Sequence, residues 1–196
     1  VILDGGTGSC LRKMGMPVGV STEQWVYEHP EEIARLQREY ADAGSMVIYA
    51  PTFGANRETL KGMGLEANVE ILNRELVKRA YDAGVDTIVT CDNGIAAVQE
   101  IAYARELGMT VIVTDHHEVQ EELPPAQVIV NPRQADCPYP FKKLCGAAVA
   151  WKLVGAFWQQ MGLPLNDLYD ELLMFAGFAT VGDVMDLTGE NRILVR

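Results

Sequence analysis

The chain reads as an α/β protein: a mostly parallel five-stranded sheet flanked by helices, Rossmann-like in layout, with further helices toward the C-terminal end. Two patterns predict this. Short apolar runs rich in Val, Ile and Thr alternate with stretches of helical periodicity. Two of the helix-like stretches also close on Gly just before the next strand-like run, at Gly44 and Gly84. Strands separated by helices pair in parallel, with right-handed crossovers.

The elements follow in order. Val1-Ile2-Leu3 reads as a first strand entering the loop Asp4-Gly5-Gly6-Thr7-Gly8-Ser9. Ile33, Leu36, Gln37 and Tyr40 recur at helical spacing and predict a helix over 30–43. Residues 46–50 form a second strand, followed by the loop Pro51-Thr52-Phe53-Gly54-Ala55-Asn56. Val69, Leu72, Leu76 and Ala80 share one face of a helix over 66–83. The run Thr87-Ile88-Val89-Thr90-Cys91 is a third strand stopping on Asp92-Asn93-Gly94, and a helix over 95–107 follows. Thr110-Val111-Ile112-Val113-Thr114 is a fourth strand, and it stops on Asp115-His116-His117. After Pro124-Pro125 a fifth strand over 126–130 ends at Asn131-Pro132. A Pro-rich polar loop over 133–141 then leads to helices over 147–161 and 165–180.

The strand ends carry the chemistry. Open α/β sheets bind ligands at the carboxyl ends of their strands. Two of the three histidines stand side by side at one such end, next to Asp115, while a neighbouring strand delivers Asp92. Carboxylate oxygen and imidazole nitrogen together suit manganese or another divalent first-row ion. Taken alone, Asp92 reads equally well as a helix cap, and adjacent histidines occur in solvated loops. Matching positions in successive βα units favour a metal site. The glycine-rich loop at 5–9 offers backbone amides to an anion, but it has no Walker A lysine and no complete GxGxxG. Gly146, ahead of a helix, is a second anion candidate, and an ordinary helix start explains it as well.

Composition bounds the rest. With 196 residues, 48% hydrophobic and 22% charged, the chain can bury a full core. It has no run of eighteen apolar residues and no visible signal peptide, so a cytoplasmic protein without membrane contact is expected. Cys10, Cys91, Cys137 and Cys145 lack CxxC pairing and read as reduced thiols. Val1 at the start and the strand-like Ile193-Leu194-Val195-Arg196 at the end read as cut ends of a longer protein. The net charge of −11 disfavours a broad basic surface for nucleic acid. Arg133, Lys142, Lys143, Lys152, Arg192 and Arg196 form either a local basic track or a solvated mixed surface.

Residues 85–196 resemble the DHH phosphoesterase family, within it the RecJ-type single-strand-specific exonucleases. The resemblance rests on Cys91-Asp92-Asn93-Gly94-Ile95, Val113-Thr114-Asp115-His116-His117 and Val130-Asn131-Pro132. It continues through Asp136-Cys137-Pro138-Tyr139-Pro140, Leu144-Cys145-Gly146-Ala147 and Val181-Gly182-Asp183-Val184. It implies phosphodiester hydrolysis with one or two Mn2+ (or Mg2+) ions on single-stranded nucleic acid or a small phosphodiester, as in DNA repair. Asp92, His116 and Asp183 would be direct metal ligands, with Asp115 and His117 as ligands or as their supporting partners. The family's first strand ends in Asp-x-Asp. Here Asp4 stands before glycines, so it is a candidate partial substitute, and a weakened activity is expected.

Residues 1–84 are similar instead to the start of homocysteine S-methyltransferases. Leu3-Asp4-Gly5-Gly6-Thr7-Gly8, Pro51-Thr52-Phe53-Gly54-Ala55-Asn56-Arg57 and Gly64-Leu65-Glu66 carry that likeness. It implies two βα units joining the same sheet and a chimera-like chain, without the zinc cysteines that methyl transfer needs. An inactive methyltransferase fragment and an inactive α/β scaffold are the alternatives to the hydrolase.

Overall fold

The computed structural model of the protein describes residues 6–45, 48, 50, 51, 54–165 and 167–196, and the side chains of these except at 167 and 168. The chain divides into two compact units. One is made of residues 1–86 with 106–109, the other of residues 87–105 with 110–196.

The first unit is helical among its described residues. It contains α1 (Thr7–Lys13), α2 (Thr22–Glu28), α3 (Pro30–Asp42), α4 (Arg57–Lys61), a 3-10 turn (Glu66–Asn68) and α5 (Val69–Asp82). Three of the starts have a local cause. Ser21 caps α2 by accepting from the Gln24 amide at 3.3 Å, and Asn56 caps α4 by accepting from the Thr59 amide at 2.9 Å. Pro30 begins α3, where its missing N–H costs nothing, and Glu31 and Glu32 face the positive end of the helix dipole. Leu11, Val26, Ile33, Leu60, Leu72 and Leu76 form the buried centre of this unit. Buried Glu23 accepts from the Ser21 hydroxyl at 2.9 Å and the Gly54 amide at 2.7 Å.

Two expectations are corrected here. Thr7, Gly8 and Ser9 form the first turn of α1 rather than an open glycine loop. The helix expected from residue 66 begins as a 3-10 turn and becomes α-helical at Val69. The helices α1, α2 and α4 had no counterpart in the sequence reading, and the strand-like run at 193–196 is corrected too, since Ile193 and Leu194 close a helix over Gly189–Leu194.

The second unit holds the sheet. Its strands are β1 (Thr87–Val89), β2 (Thr110–Thr114) and β3 (Val128–Val130), in the order β1-β2-β3 and parallel throughout. The helix α6 (Val98–Glu106) connects β1 to β2, with Ile101 and Ala104 buried. Val111 and Val113 on β2 are fully buried. The five-stranded sheet is therefore corrected to three strands among the described residues. Of the two further strands expected, residues 1–3, 46, 47 and 49 lie outside the described residues, and Ile48 and Ala50 are not in strand.

The pairing runs on past the strands. The Asp92 amide donates to Thr114 O at 3.1 Å, and the Asp115 amide donates to Val130 O at 3.0 Å. Register (Val89 opposite Ile112, Thr114 opposite Val130) then puts Asp92, Asp115 and Asn131 along one carboxyl edge.

Behind this edge lie α7 (Gly146–Gln160), α8 (Asp167–Gly182) and α9 (Gly189–Leu194). Small residues let α7 and α8 approach: Ala148, Val149 and Ala176 are buried with Leu144 and Cys145. Trp151 stacks on Tyr169 with centroids 4.7 Å apart, and its Nε1 donates to Tyr169 O at 3.1 Å. A Cβ at Gly155 would sit 2.5 Å from the Tyr169 hydroxyl, so that stack requires glycine there. Among the described residues, no helix is long and apolar enough to cross a membrane.

Candidate metal centre

Asp92, Asp115, His116 and His117 each offer one ligand atom within a mutual distance of 4.8 Å, which makes them a group able to hold a metal ion. All four leave the carboxyl ends of adjacent parallel strands. Asp183, at the end of α8, brings its Oδ2 to 3.4 Å from His116 Nε2. Asp4, the remaining candidate, lies outside the described residues.

His116 is the centre of the group. It is 5% exposed, and its Nε2 lies 2.9 Å from Asp92 Oδ1. Yet neither ring nitrogen has a hydrogen-bond partner, so the carboxylates approach outside hydrogen-bond geometry. A buried imidazole with no partner is costly, on the order of 1–3 kcal/mol for each unsatisfied group. Donor atoms about 2.0–2.1 Å from a small octahedral dication sit about 3 Å from one another. The observed 2.9 and 3.4 Å match that spacing, and the oxygen and nitrogen donors match the chemistry. The residues present fit a divalent metal.

Asp115 is 1% exposed and fully engaged. Its Oδ2 accepts from the Ile95 amide at 2.9 Å. Its Oδ1 accepts from the His117 ring Nδ1 at 2.7 Å and from the amides of His116 at 2.7 Å and His117 at 3.2 Å. Burial pushes this carboxyl up. The bonds from Ile95, the His117 ring and the two amides outweigh it and hold Asp115 below its ordinary value.

Local backbone explains how the carboxylates arrive. Asp92 takes a left-handed φ of 65°, which aspartate tolerates better than most residues. It presses on Gly146, the first residue of α7, where a Cβ would lie 2.4 Å from Asp92 Oδ1. Partial desolvation and the neighbouring Asp92 carboxylate raise the thiol of Cys91, which keeps it protonated at neutral pH.

Sequence reasoning left several supporting residues without a role. Thr90 Oγ1 donates to Asn93 O at 2.7 Å and accepts the Thr114 amide at 3.1 Å; Thr114 Oγ1 donates to Thr90 O at 2.7 Å. These bonds tie together the ends of β1 and β2. Buried Asn131 donates to His117 O at 3.0 Å and accepts the Arg133 amide at 2.8 Å. A threonine just past β1 (Thr90) and one closing β2 (Thr114) were the available signal. Gly146 is the first residue of α7, the ordinary helix start weighed above against an anion site, and its lack of a side chain leaves room for Asp92.

A parallel sheet whose carboxyl edge gathers two aspartates and two histidines able to hold a metal ion defines an α/β protein with a candidate metal centre. Residues 8–177 match the DHH family, N-terminal domain, and the chain belongs to that family. The chain is 44% identical over 122 residues to the single-stranded-DNA-specific exonuclease RecJ of Bacillus subtilis (strain 168), covering 62% of this chain and 15% of that protein. A crystal structure of exonuclease RecJ bound to manganese superposes with a TM-score of 0.56 at 32% identity, over 83% of this chain and 37% of that one. The chain thus spans about 15% of the length of the Bacillus relative. It is also 35% identical over 83 residues to betaine–homocysteine S-methyltransferase 1 of Sus scrofa, which covers 42% of this chain and 30% of that protein. The family match begins at residue 8, so it runs through the stretch given above to the methyltransferase likeness.

Proposed function

We propose that the protein is a manganese-dependent phosphodiesterase acting on single-stranded nucleic acid in the manner of the RecJ exonucleases. The observation that carries this reading is His116, a buried imidazole without a hydrogen-bond partner set among the carboxylates of Asp92 and Asp183. Asp92, His116 and Asp183 would hold the ion. When bound, a divalent ion supplies a Lewis acid that activates water and neutralises charge on a phosphodiester.

The chain's own residues do the rest. Asp115 fixes the backbone of His116 and His117 through their amides, which sets the direction of both rings. It also accepts the Nδ1 proton of His117, so the side chain of His117, 59% exposed, presents a basic nitrogen that can take or return a proton. Asp4 remains a proposed further carboxylate, and a site with one carboxylate fewer than Asp-x-Asp supplies would hold a second ion weakly. Slow hydrolysis follows from that.

The test is a manganese titration followed by thermal unfolding and by cleavage of a short single-stranded oligonucleotide. A ligand that prefers the native state raises the unfolding midpoint. Manganese should raise it in the wild type and leave His116→Ala unmoved. Cleavage should fall more than about 100-fold in Asp92→Asn and Asp183→Asn. Equal manganese shifts in wild type and His116→Ala would remove this site from consideration.

The 83-residue likeness to the methyltransferase supports a second, structural reading, in which residues 1–84 are of methyltransferase kind in a hybrid chain. The separate buried centre of α1 to α5 is consistent with it. None of the four cysteines matches that family's zinc ligands, so methyl transfer to homocysteine should be undetectable in the same preparation.

A further inference from the structure

Regular parallel pairing would carry the ladder one step beyond β1. The Thr90 amide donates to Ile112 O at 2.9 Å and the Asp92 amide donates to Thr114 O at 3.1 Å. Between these two, a parallel ladder draws a bond from the Thr114 amide to Thr90 O. That amide goes instead to the Thr90 hydroxyl, 3.1 Å away, and Thr90 O takes the Thr114 hydroxyl at 2.7 Å. Thr90 has a single hydroxyl proton, and it is donated to Asn93 O at 2.7 Å. One side chain thus closes the turn over residues 90–93 while its lone pair ties the turn to β2.

Asp92 lies inside that turn. Before it, its own amide is fixed to Thr114 O; after it, the Asn93 carbonyl is fixed to the Thr90 hydroxyl, which the Thr114 amide holds in turn. Both anchors therefore meet on Thr114, the residue ahead of Asp115 and His116. With the amide of Asp92 held, the backbone rotation that swings its Cβ is its own φ, which stands at 65°. Aspartate tolerates this left-handed value but does not favour it over the right-handed region. A freed Asn93 would let φ relax and carry the carboxylate away from His116 Nε2, now 2.9 Å from Asp92 Oδ1. Gly94 closes the other side, since a Cβ there would lie 2.8 Å from Thr90 Oγ1. We propose that Thr90 is a positioning residue for the metal centre: its hydroxyl closes the turn around Asp92 and so aims that carboxylate at His116. The inference rests on the reading of Asp92, His116 and Asp183 as the metal-holding set.

The test uses the full chain and two readouts: manganese affinity by calorimetry, and the thermal midpoint without metal. Thr90→Val keeps the shape of the side chain and removes the hydroxyl, whereas Thr90→Ser keeps the hydroxyl and removes the methyl group. Manganese affinity should fall about tenfold or more in Thr90→Val and stay within about threefold of wild type in Thr90→Ser. A lowered metal-free midpoint in Thr90→Val with wild-type manganese affinity would make the bond purely structural and overturn the proposal. Equal losses of affinity in the two variants would overturn it too, since the methyl group and not the hydroxyl would then be responsible. Should Thr90→Val not fold, Gly94→Ala decides, because its Cβ pushes on the Thr90 hydroxyl. Weakened manganese binding there supports the proposal, and wild-type binding overturns it. A wild type that binds no manganese would bring down the functional reading as well, whereas the failures just named leave that reading standing.

Discussion

Asp115 keeps a carboxylate in a place only 1% exposed because four donors meet it there. Replacing it by asparagine keeps the shape and removes the charge. One of the two oxygens becomes an NH2 group, so a donor must face a donor, either the Ile95 amide or the His117 and His116 group. Leaving a buried donor unmet costs about 1–3 kcal/mol. Asp115→Asn should lower the stability of the metal-free protein by about that much in urea unfolding, and should weaken manganese binding as the histidine rings lose their orientation. Gly146 gives the complementary case. Gly146→Ala puts a methyl group 2.4 Å from Asp92 Oδ1 and must displace that side chain. Manganese affinity is expected to drop about 10–100-fold, while a substitution at Gly108, where nothing lies within 4 Å but φ is +84°, should cost backbone strain alone. If Gly146→Ala bound manganese like the wild type, the close approach of α7 would have no bearing on Asp92.

At the scale of elements, α9 is tied back to α7 through Glu190. Its carboxylate accepts from Tyr139 OH at 2.6 and 2.8 Å and lies 2.8 Å from Lys152 Nζ. Burial raises Glu190, but Lys152 and the Tyr139 hydroxyl outweigh it and hold the carboxyl below its ordinary value. Burial lowers Lys152, and Glu190 and Tyr139 outweigh it upward. The lowered Glu190 adds stability that is present above its unfolded value and is lost as pH falls through its folded one. The raised Lys152 adds stability that is present below its unfolded value and is lost as pH rises through its folded one. The difference in urea midpoint between wild type and Glu190→Gln should therefore be full near neutrality and shrink toward both acid and alkaline pH. A difference flat across pH would assign the contact to packing. These ties were not legible in the sequence, because residues 139, 152 and 190 meet only through tertiary structure. The strands were legible: the Val-Ile-Thr runs at 87–89, 110–114 and 128–130 have no helical spacing, and what each ends on names the site. The helices α1, α2 and α4 were not, since five to seven residues give too few turns for a periodic apolar face. Asp183 was reached through resemblance rather than pattern, for nothing local distinguishes it from Asp186.

For the whole molecule, charge decides how nucleic acid can approach. The chain carries a net −11, and DNA carries one negative charge per about 1.7 Å of duplex axis. A local basic track could reverse the repulsion, and six cations in the C-terminal half were candidates for one. The structure engages four of them. Arg133 is paired with Glu118, Lys143 with Asp186 and Lys152 with Glu190, and Lys142 donates to Cys137 O. A phosphate would have to displace an internal partner at each of these positions. Ordinary DNA-binding proteins release counterions and lose affinity steeply as salt rises. Here, without divalent ions, binding of a single-stranded oligonucleotide should be weak, and its logarithm should be flat or rising against the logarithm of salt, since screening relieves repulsion. Manganese should strengthen binding in the wild type by neutralising the carboxylates around His116, and should do so far less in Asp92→Asn. Fluorescence anisotropy across a salt series measures both. A slope more negative than about −2 without manganese, which on a single strand corresponds to about three or more phosphates neutralised, would mean that the paired cations open to the ligand and that the acidic total is no guide to this surface.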